Sequence, residues 1–336
     1  PCWFVASSSG DSGIARDRSM MYSGQTAIDF LATEISKEDS GSSSHWQNYH
    51  SEFLFLGNGF EGLRGFGGYD KPYRGLRLLL HRLFQRPFRR MGAAFQKFNA
   101  IDRLSMEVAT CEERASDLDV LRQALTLSYL HERVPNLLTP KTISCVIGDG
   151  FATMTTLLLE SSSAGQVIMI NLTKTLLVDL WYLKLWMGTE VFESSVDLVT
   201  DEASLSKALA KPLTNEAGGR VIAIQASNHE LLRNCPVDLA LNIASMQEMN
   251  PPVTAAYFDD LRVIASRKDL TFYCCNRVEK TLPDVTVSKF NEYPWRASDR
   301  VLVDELCPWH QQYYTIRPPF YRSYDGPHRH RPVTFY

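Results

Sequence analysis

Thr142–Glu160 reads TISCVIGDGFATMTTLLLE. The apolar run Ile143–Ile147 stops at Gly148-Asp149-Gly150, and a helix-like segment ending in Leu157-Leu158-Leu159-Glu160 follows at once. Strand, glycine turn and helix in that order put backbone N–H groups and a helix N-terminus beside a ligand. A dinucleotide fingerprint has glycine at the first, third and sixth positions, the last allowing close helix–strand packing. Counted from Gly148, the sixth position is Thr153, which argues against NAD and FAD. No Gly-Lys-Ser/Thr follows, so the turn is not a P-loop.

Working outward, the chain from Lys141 alternates strands and helices, the pattern of a parallel sheet with crossover helices. The expected strands are Ile143–Ile147, Val167–Asn171, Arg220–Gln225, Val237–Ile243 and Leu270–Asn276. The expected helices are Thr153–Glu160, Thr173–Trp186, Ser204–Leu209 and Pro252–Ser266. Glu190–Val196 reads equally as an extra strand or a loop. Upstream, residues 7–13 and Asp39–Ser44 are Ser/Gly-rich and expected to be loosely ordered. Helical patterns cover Thr26–Ile35, Tyr73–Gln85 and Ala115–Glu132, the last with a Leu118, Leu121, Leu125, Leu130 stripe. Arg74–Arg90 (RGLRLLLHRLFQRPFRR) reads as a solvated helix face whose arginine stems cover apolar surface. The tail from Glu292 is rich in Pro, Trp, Tyr and Arg and is expected to pack over the ligand edge of the sheet.

Composition bounds the function. The chain has 336 residues, 22% of them charged, and a formal net charge of −3, which gives no long-range pull toward nucleic acid. No apolar run approaches the ~18 residues of a membrane span. The seven cysteines include an adjacent pair and no C-x-x-C, which argues against a disulfide framework and a zinc site. A reducing, cytoplasmic setting is expected. No G-x-S-x-G or H-E-x-x-H is present. A carboxylate-held Mg²⁺ is left open.

Open parallel sheets bind ligands beyond the carboxyl ends of their strands. Three polar loops fall there: Gln225–His229, Asn242–Met249 and Cys274–Arg277. S-adenosylmethionine domains carry glycines at alternate positions, matched here by Gly148 and Gly150 with Ala152 as the third. The acid expected two residues before the first glycine is Val146, with Asp149 inside the turn instead. Asn171 ends the next strand, where a ribose-binding acid is usual. A general base would come from His310, Glu248, His229, Asp304 or Glu305. His328 and His330, in an Arg-rich stretch, read as surface or anion-contacting groups.

Beyond the turn, NIASMQEM (Asn242–Met249), FYCCNRVEK (Phe272–Lys280), YPW (Tyr293–Trp295), DELCPWHQQYY (Asp304–Tyr314), RPPFYR (Arg317–Arg322) and YDGP (Tyr324–Pro327) are long and unusual. Together with Val146–Ala152 they resemble the sugar O-methyltransferase family of bacterial polysaccharide gene clusters, over roughly residues 45–331. The resemblance implies an α/β, Rossmann-like class I methyltransferase domain over 116–336 with a mostly parallel seven-stranded sheet. A mainly helical region, 1–115, precedes it. It implies S-adenosyl-L-methionine as cofactor and a sugar, nucleotide sugar or glycan as acceptor. It implies cofactor contacts from Gly148, Asp149, Gly150, Asn171, Gln225, Ala226 and Asn242. Glu248 or His310 would take the hydroxyl proton, with Gln247, Trp295, Trp309 and Tyr313 on the sugar. Homo-oligomerisation is left open, as is a non-catalytic protein that keeps the fold.

Overall fold

The computed structural model describes residues 21–39, 41–63, 70–212 and 219–336. Residues 7–13, the glycine-rich turn at 65–69 and Cys2 lie outside them.

The sheet follows from runs that are buried on both faces. β2 (Ile143–Ile147), β3 (Gln166–Asn171), β4 (Val196–Val199), β5 (Arg220–Gln225), β6 (Leu239–Ile243) and β7 (Leu270–Arg277) are all parallel to their neighbours, in the order β4-β5-β3-β2-β6-β7. Every residue of β3 and β5 is buried, as expected of parallel strands covered by helices on both faces. Successive side chains alternate between two cores. Val167 and Met169 face one, and Ile168 and Ile170 the other. Short strands extend the edges. β1 (Tyr22–Ser23) pairs antiparallel with β4, and β8 (Arg300–Val301) and β9 (Glu305–Leu306) pair with β10 (His328–Phe335). Among the described residues the sheet has ten strands, seven of them longer than two residues. The protein is therefore a Rossmann-like α/β fold.

β10 was not expected. It lies antiparallel along the full length of β7, from His328 opposite Arg277 to Phe335 opposite Leu270. Its sequence, HRHRPVTF, hides an alternation in which His328 and His330 point inward while Arg329 and Arg331 pair with Asp304. The expectation of surface histidines is therefore corrected. The imidazoles occupy core positions because Arg329 and Arg331 lie on the opposite face of the strand, where both pair with Asp304 and Arg331 stacks on Phe290 and Trp295.

One core contains α5 (Leu118–Arg133), α6 (Thr153–Glu160) and α7 (Thr173–Met187), joined by residues of the upstream helices α1 (Gln25–Glu34), α3 (Gly75–Gly92) and α4 (Phe98–Cys111). Ala27, Phe88, Phe98 and Ile101 pack in the same cluster as Val146 and Met169. On the opposite face, α9 (Glu202–Ala210) and α10 (Pro251–Ala265) close the second core. The undecided stretch at 190–196 is mostly helix, α8 (Thr189–Ser195), running straight into β4. Asp39–Ser44 is not loose where it is described. Asp39 bonds to Thr173, the Ser43 hydroxyl donates to the Glu248 carbonyl, and α2 (Ser44–His50) begins there. α3 reverses the expected polarity: His81, Gln85 and Phe88 face inward, and Leu76, Leu79 and Leu83 are exposed. Part of this inward polarity is met by the tail, because His81 Nδ1 and Gln85 Nε2 both meet the Tyr314 hydroxyl, at 2.9 and 3.0 Å.

Candidate active site

The chain leaves β2 for β3 on one side and later returns to β6 on the other. The crevice over their carboxyl ends is the switch point at which such sheets bind ligands. A cleft opens there in two lobes, about 1080 and 970 Å³ to their open mouths. Gly148, Asn171, Ser245, Glu248 and Trp46 of α2 border both lobes.

The glycine turn makes the ridge between them. Gly148 (φ 74°), Gly150 (φ 68°), Phe151 (φ 63°) and Ala152 (φ 51°) are left-handed, an arrangement costly for the two residues with side chains. A fully buried carboxylate from α7 holds them: Asp179 accepts from Ala152 N–H (3.0 Å) and from Asn171 Nδ2 (2.8 Å). At Gly148 a β-carbon would meet Ser245 Oγ at 2.0 Å, whereas at Gly150 it would meet nothing within 4 Å. Gly148 thus lets the turn touch the loop after β6, and Gly150 leaves room for a ligand.

Both helix N-termini at this edge are capped from within. Asp149 accepts from Met154 N–H (2.9 Å) and Thr155 N–H (2.7 Å), and Asp39 accepts from Thr173 N–H (2.9 Å). These carboxylates occupy the position in which a phosphate would otherwise bind. Burial pushes the Asp149 carboxyl up, against the bonds from Thr155 and Met154. Asn171 is also engaged, because its oxygen accepts from Leu172 N–H while its nitrogen holds Asp179.

The smaller lobe is largely apolar. Ile170, Leu172, Met249, Val253, Ala256 and Tyr257 form its walls, with Ala226, Ser227 and His229 at the end of β5. The larger is polar. Asp119, Arg122 and Gln123 of α5 face Gln247, Glu248, Arg277, His310, Tyr324 and His328. Arg122 is its strut: Nε donates to Trp309 O (3.0 Å), Nη2 to Gln312 O (2.7 Å), and Nη1 to Asp119 (2.7 Å) and to the Tyr324 hydroxyl.

The turn, Asn171, Gln247, Glu248 and His310 meet at this cleft, and Ala226 borders the apolar lobe. Gln225 and Asn242 stand behind it. Gln225 Nε2 donates to Thr173 Oγ1 (2.9 Å). Asn242 is fully buried and ties three strand ends, through Ile147 O (2.8 Å), Met246 N–H (3.0 Å) and Asn276 Nδ2 (2.8 Å). The aromatic contacts need correction. Trp309 is 2% exposed and gives its indole N–H to Thr126. Trp295 packs on Phe258 and bonds to Phe290 O. Burying these large rings stabilises the tail against the sheet, so neither borders the cleft. Tyr313 packs behind Tyr324, the ring that does.

Among the possible bases, Asp304 is paired with Arg329 and Arg331 on the surface, and Glu305 is exposed. His229 is tied to Asp260. Burial alone would raise the Glu248 carboxyl, but the bond from His45 and the charge of Lys280, 2.7 Å away, hold it below the ordinary range. His310 and His328 are different. Burial, aided by the nearby Arg122, keeps His310 well below the usual imidazole range. Burial, with Arg277 and Arg122, brings His328 down to about 3. Both are neutral imidazoles, and His310 Nε2 and His328 Nδ1 are buried without a hydrogen-bond partner among the described residues. His328, Arg122 and Tyr324 were not foreseen as site residues, and Arg277 only as the end of the polar loop Cys274–Arg277. The inward alternation of HRHRPVTF was the signal available for His328.

No family model matches the chain, and no curated protein matches it. Solved structures match at low identity. A protein of echinomycin biosynthesis, where a disulfide bond is converted into a thioacetal group, is 8% identical, covering 62% of this chain and 80% of its own, with a TM-score of 0.37. The pyocyanin biosynthetic protein PhzM is 13% identical over 65% of this chain but 57% of its own length, with a TM-score of 0.34. A SAM-dependent methyltransferase from Leishmania major is 10% identical over 69% and 82%, with a TM-score of 0.33. These are likenesses of general arrangement only. No helix among the described residues is long and apolar enough to cross a membrane.

Proposed function

We propose that the chain binds S-adenosylmethionine across the ridge and methylates a hydroxyl of a sugar, carried on a nucleotide or in a glycan. The observation that carries this reading is the pairing of an apolar slot with two helix N-termini already capped by Asp149 and Asp39. A pyrophosphate cofactor would have to displace those carboxylates, whereas an adenosine without phosphates would not. The apolar lobe suits a flat heterocycle, Gly150 leaves space for the amino-acid part, and the polar lobe suits a hydroxyl-rich acceptor. Three orphaned polar atoms, His310 Nε2, His328 Nδ1 and Arg277 Nε, border or flank that lobe and favour a polar occupant. When bound, the cofactor supplies an electrophilic methyl on a sulfonium. The protein's task is to orient the acceptor and receive its proton. Among the described residues, His310 and His328 each keep an unpartnered ring nitrogen at the wall that a hydroxyl could meet, although burial lowers the basicity of both; the Glu248 carboxylate is engaged by Lys280 and His45.

Calorimetric titration tests the reading. S-adenosylmethionine and S-adenosylhomocysteine should bind with one site per chain, and NADH should not. Absence of heat at about 1 mM, the top of the usual range for enzyme ligands, would sink it. A second reading, a non-catalytic protein with this fold, is favoured by Asn171. Its carboxamide is spent on Asp179 and Leu172, and no free carboxylate ends β3 for a ribose. The same titration separates the two.

A further inference from the structure

We propose that Cys275, Cys307 and His310 form a Cys₂His site for a zinc-class divalent ion, set between the sheet and the tail. The two Sγ atoms and one ring nitrogen lie within 4.8 Å of one another. Cys275 and Cys307 are fully buried and His310 is 5% exposed. A tetrahedral site with ordinary zinc bonds has ligand–ligand edges of roughly 3.3–3.8 Å, so a side-chain adjustment of about an ångström closes it.

The ligands come from two rigid pieces. Along β7, Cys274 and Cys275 point to opposite faces, and only Cys275 faces the core that holds Cys307 and Trp309. Cys307 is the extended residue before the 3₁₀ turn Pro308–His310, and His310 N–H returns to Cys307 O (3.1 Å), which keeps the two side chains near each other. The turn is fixed by Cys307 N–H to His328 O (2.9 Å), Gln311 Nε2 to Cys307 O (2.7 Å) and the Trp309 indole to Thr126 (3.1 Å). A search for C-x-x-C overlooks this set, because it is one strand cysteine plus C-x-x-H.

Thiolates with an imidazole select zinc-like ions over magnesium or calcium. Two thiolates and a dication are together neutral, which suits a buried place. Burial pushes the Cys307 thiol up, and Arg122, which bonds to Trp309 O within the same turn, opposes this only in part. The His310 Nε2 atom has no protein partner, and a packing role alone would leave it so. Three protein ligands leave one position for water or for a group from the polar lobe that His310 borders. On the methyl-transfer reading, which the site does not require, His328 is then the imidazole left to accept the proton.

The test uses the full chain, stripped with chelator under reducing conditions and titrated with Zn²⁺ or Co²⁺. One tightly held Zn²⁺ per chain by elemental analysis is expected, with a thiolate-to-cobalt charge-transfer band and intense tetrahedral ligand-field bands for Co²⁺. Cys275→Ser and Cys307→Ser should each weaken binding by at least about tenfold, the lower bound for losing even an outer partner. Cys274→Ser, one residue away on the other face, should leave binding unchanged. Circular dichroism of the metal-free variants checks that they fold. Stoichiometry near zero in folded wild type, or unchanged cobalt spectra in the Cys275→Ser/Cys307→Ser double variant, would overturn the site. So would two of the seven thiols missing on titration of unreduced, denatured protein together with a mapped Cys275–Cys307 disulfide.

Discussion

The two lobes share five residues yet are built in opposite ways. Most walls of the apolar lobe come from strand ends and the loops and helix directly after them, next to β3, β5 and β6, and among the described residues only Gly41, Ser43 and Trp46 reach it from far upstream. The polar lobe needs α5, the glycine turn and the tail brought together, and Arg122 alone bridges residues 119 to 324. The first lobe follows once the parallel sheet forms. The second exists only when the tail has docked.

The sharpest way to break this contrast is at Arg122. Arg122→Leu removes a buried cation bonded to two carbonyls, Asp119 and Tyr324, and should cost about 3–5 kcal/mol in denaturant unfolding. Arg122→Lys cannot reproduce the fork and should recover only part of that loss. If Arg122→Leu unfolds like wild type, the tail does not depend on this strut. Next is His328→Asn, which keeps the size of the side chain but not its basicity. It should lower methyl-transfer turnover by ~10²-fold while cofactor affinity by calorimetry stays within about twofold. Equal losses in affinity and turnover would assign His328 to positioning the fold instead.

A smaller effect isolates the apolar lobe. Ala256→Trp fills the slot and should weaken S-adenosylmethionine binding by about tenfold or more, about 1.4 kcal/mol, with little change in Tm. Unchanged affinity would move the heterocycle elsewhere. A separate effect is on pH. Burial lowers His50 and His131 each to about 4, against about 6.5 in the unfolded chain. Depressed imidazoles are neutral in the native state, so the unfolded chain binds more protons below pH 6.5. Their stabilisation is full above that value and is lost as pH falls toward 4. Thermal unfolding between pH 7 and 4 should show this decline, and His131→Gln should flatten it; an identical slope in the variant would exclude His131 as a source.

Much of the sheet was legible in the chain. Ile143–Ile147, Arg220–Gln225 and Thr153–Glu160 have the expected bounds, because continuous apolar runs between turn residues have few alternatives in a parallel sheet. α4 and β10 were not legible. β10 reads as charged because its inward positions are histidines, which become core residues only once Asp304 holds Arg329 and Arg331 on the opposite face. The site was half legible. Gly148, Gly150, Glu248 and His310 border one cleft, whereas Trp309 went to one core and Trp295 packs half-buried against the other, because large rings are worth more buried than at a wet rim.

The sequence by itself therefore determined the alternation of strand and helix, the glycine turn and the edge of the sheet at which a ligand would lie. All of these are encoded by hydrophobic period and backbone preference within a few residues. Tertiary structure alone decided the state of each polar group. Asp149 became a helix cap, Asn171 a support for Asp179, Glu248 an ion-paired carboxylate and His328 a buried neutral imidazole. Burial and charge depend on which distant segment arrives beside a residue, and no local pattern in the chain carries that information.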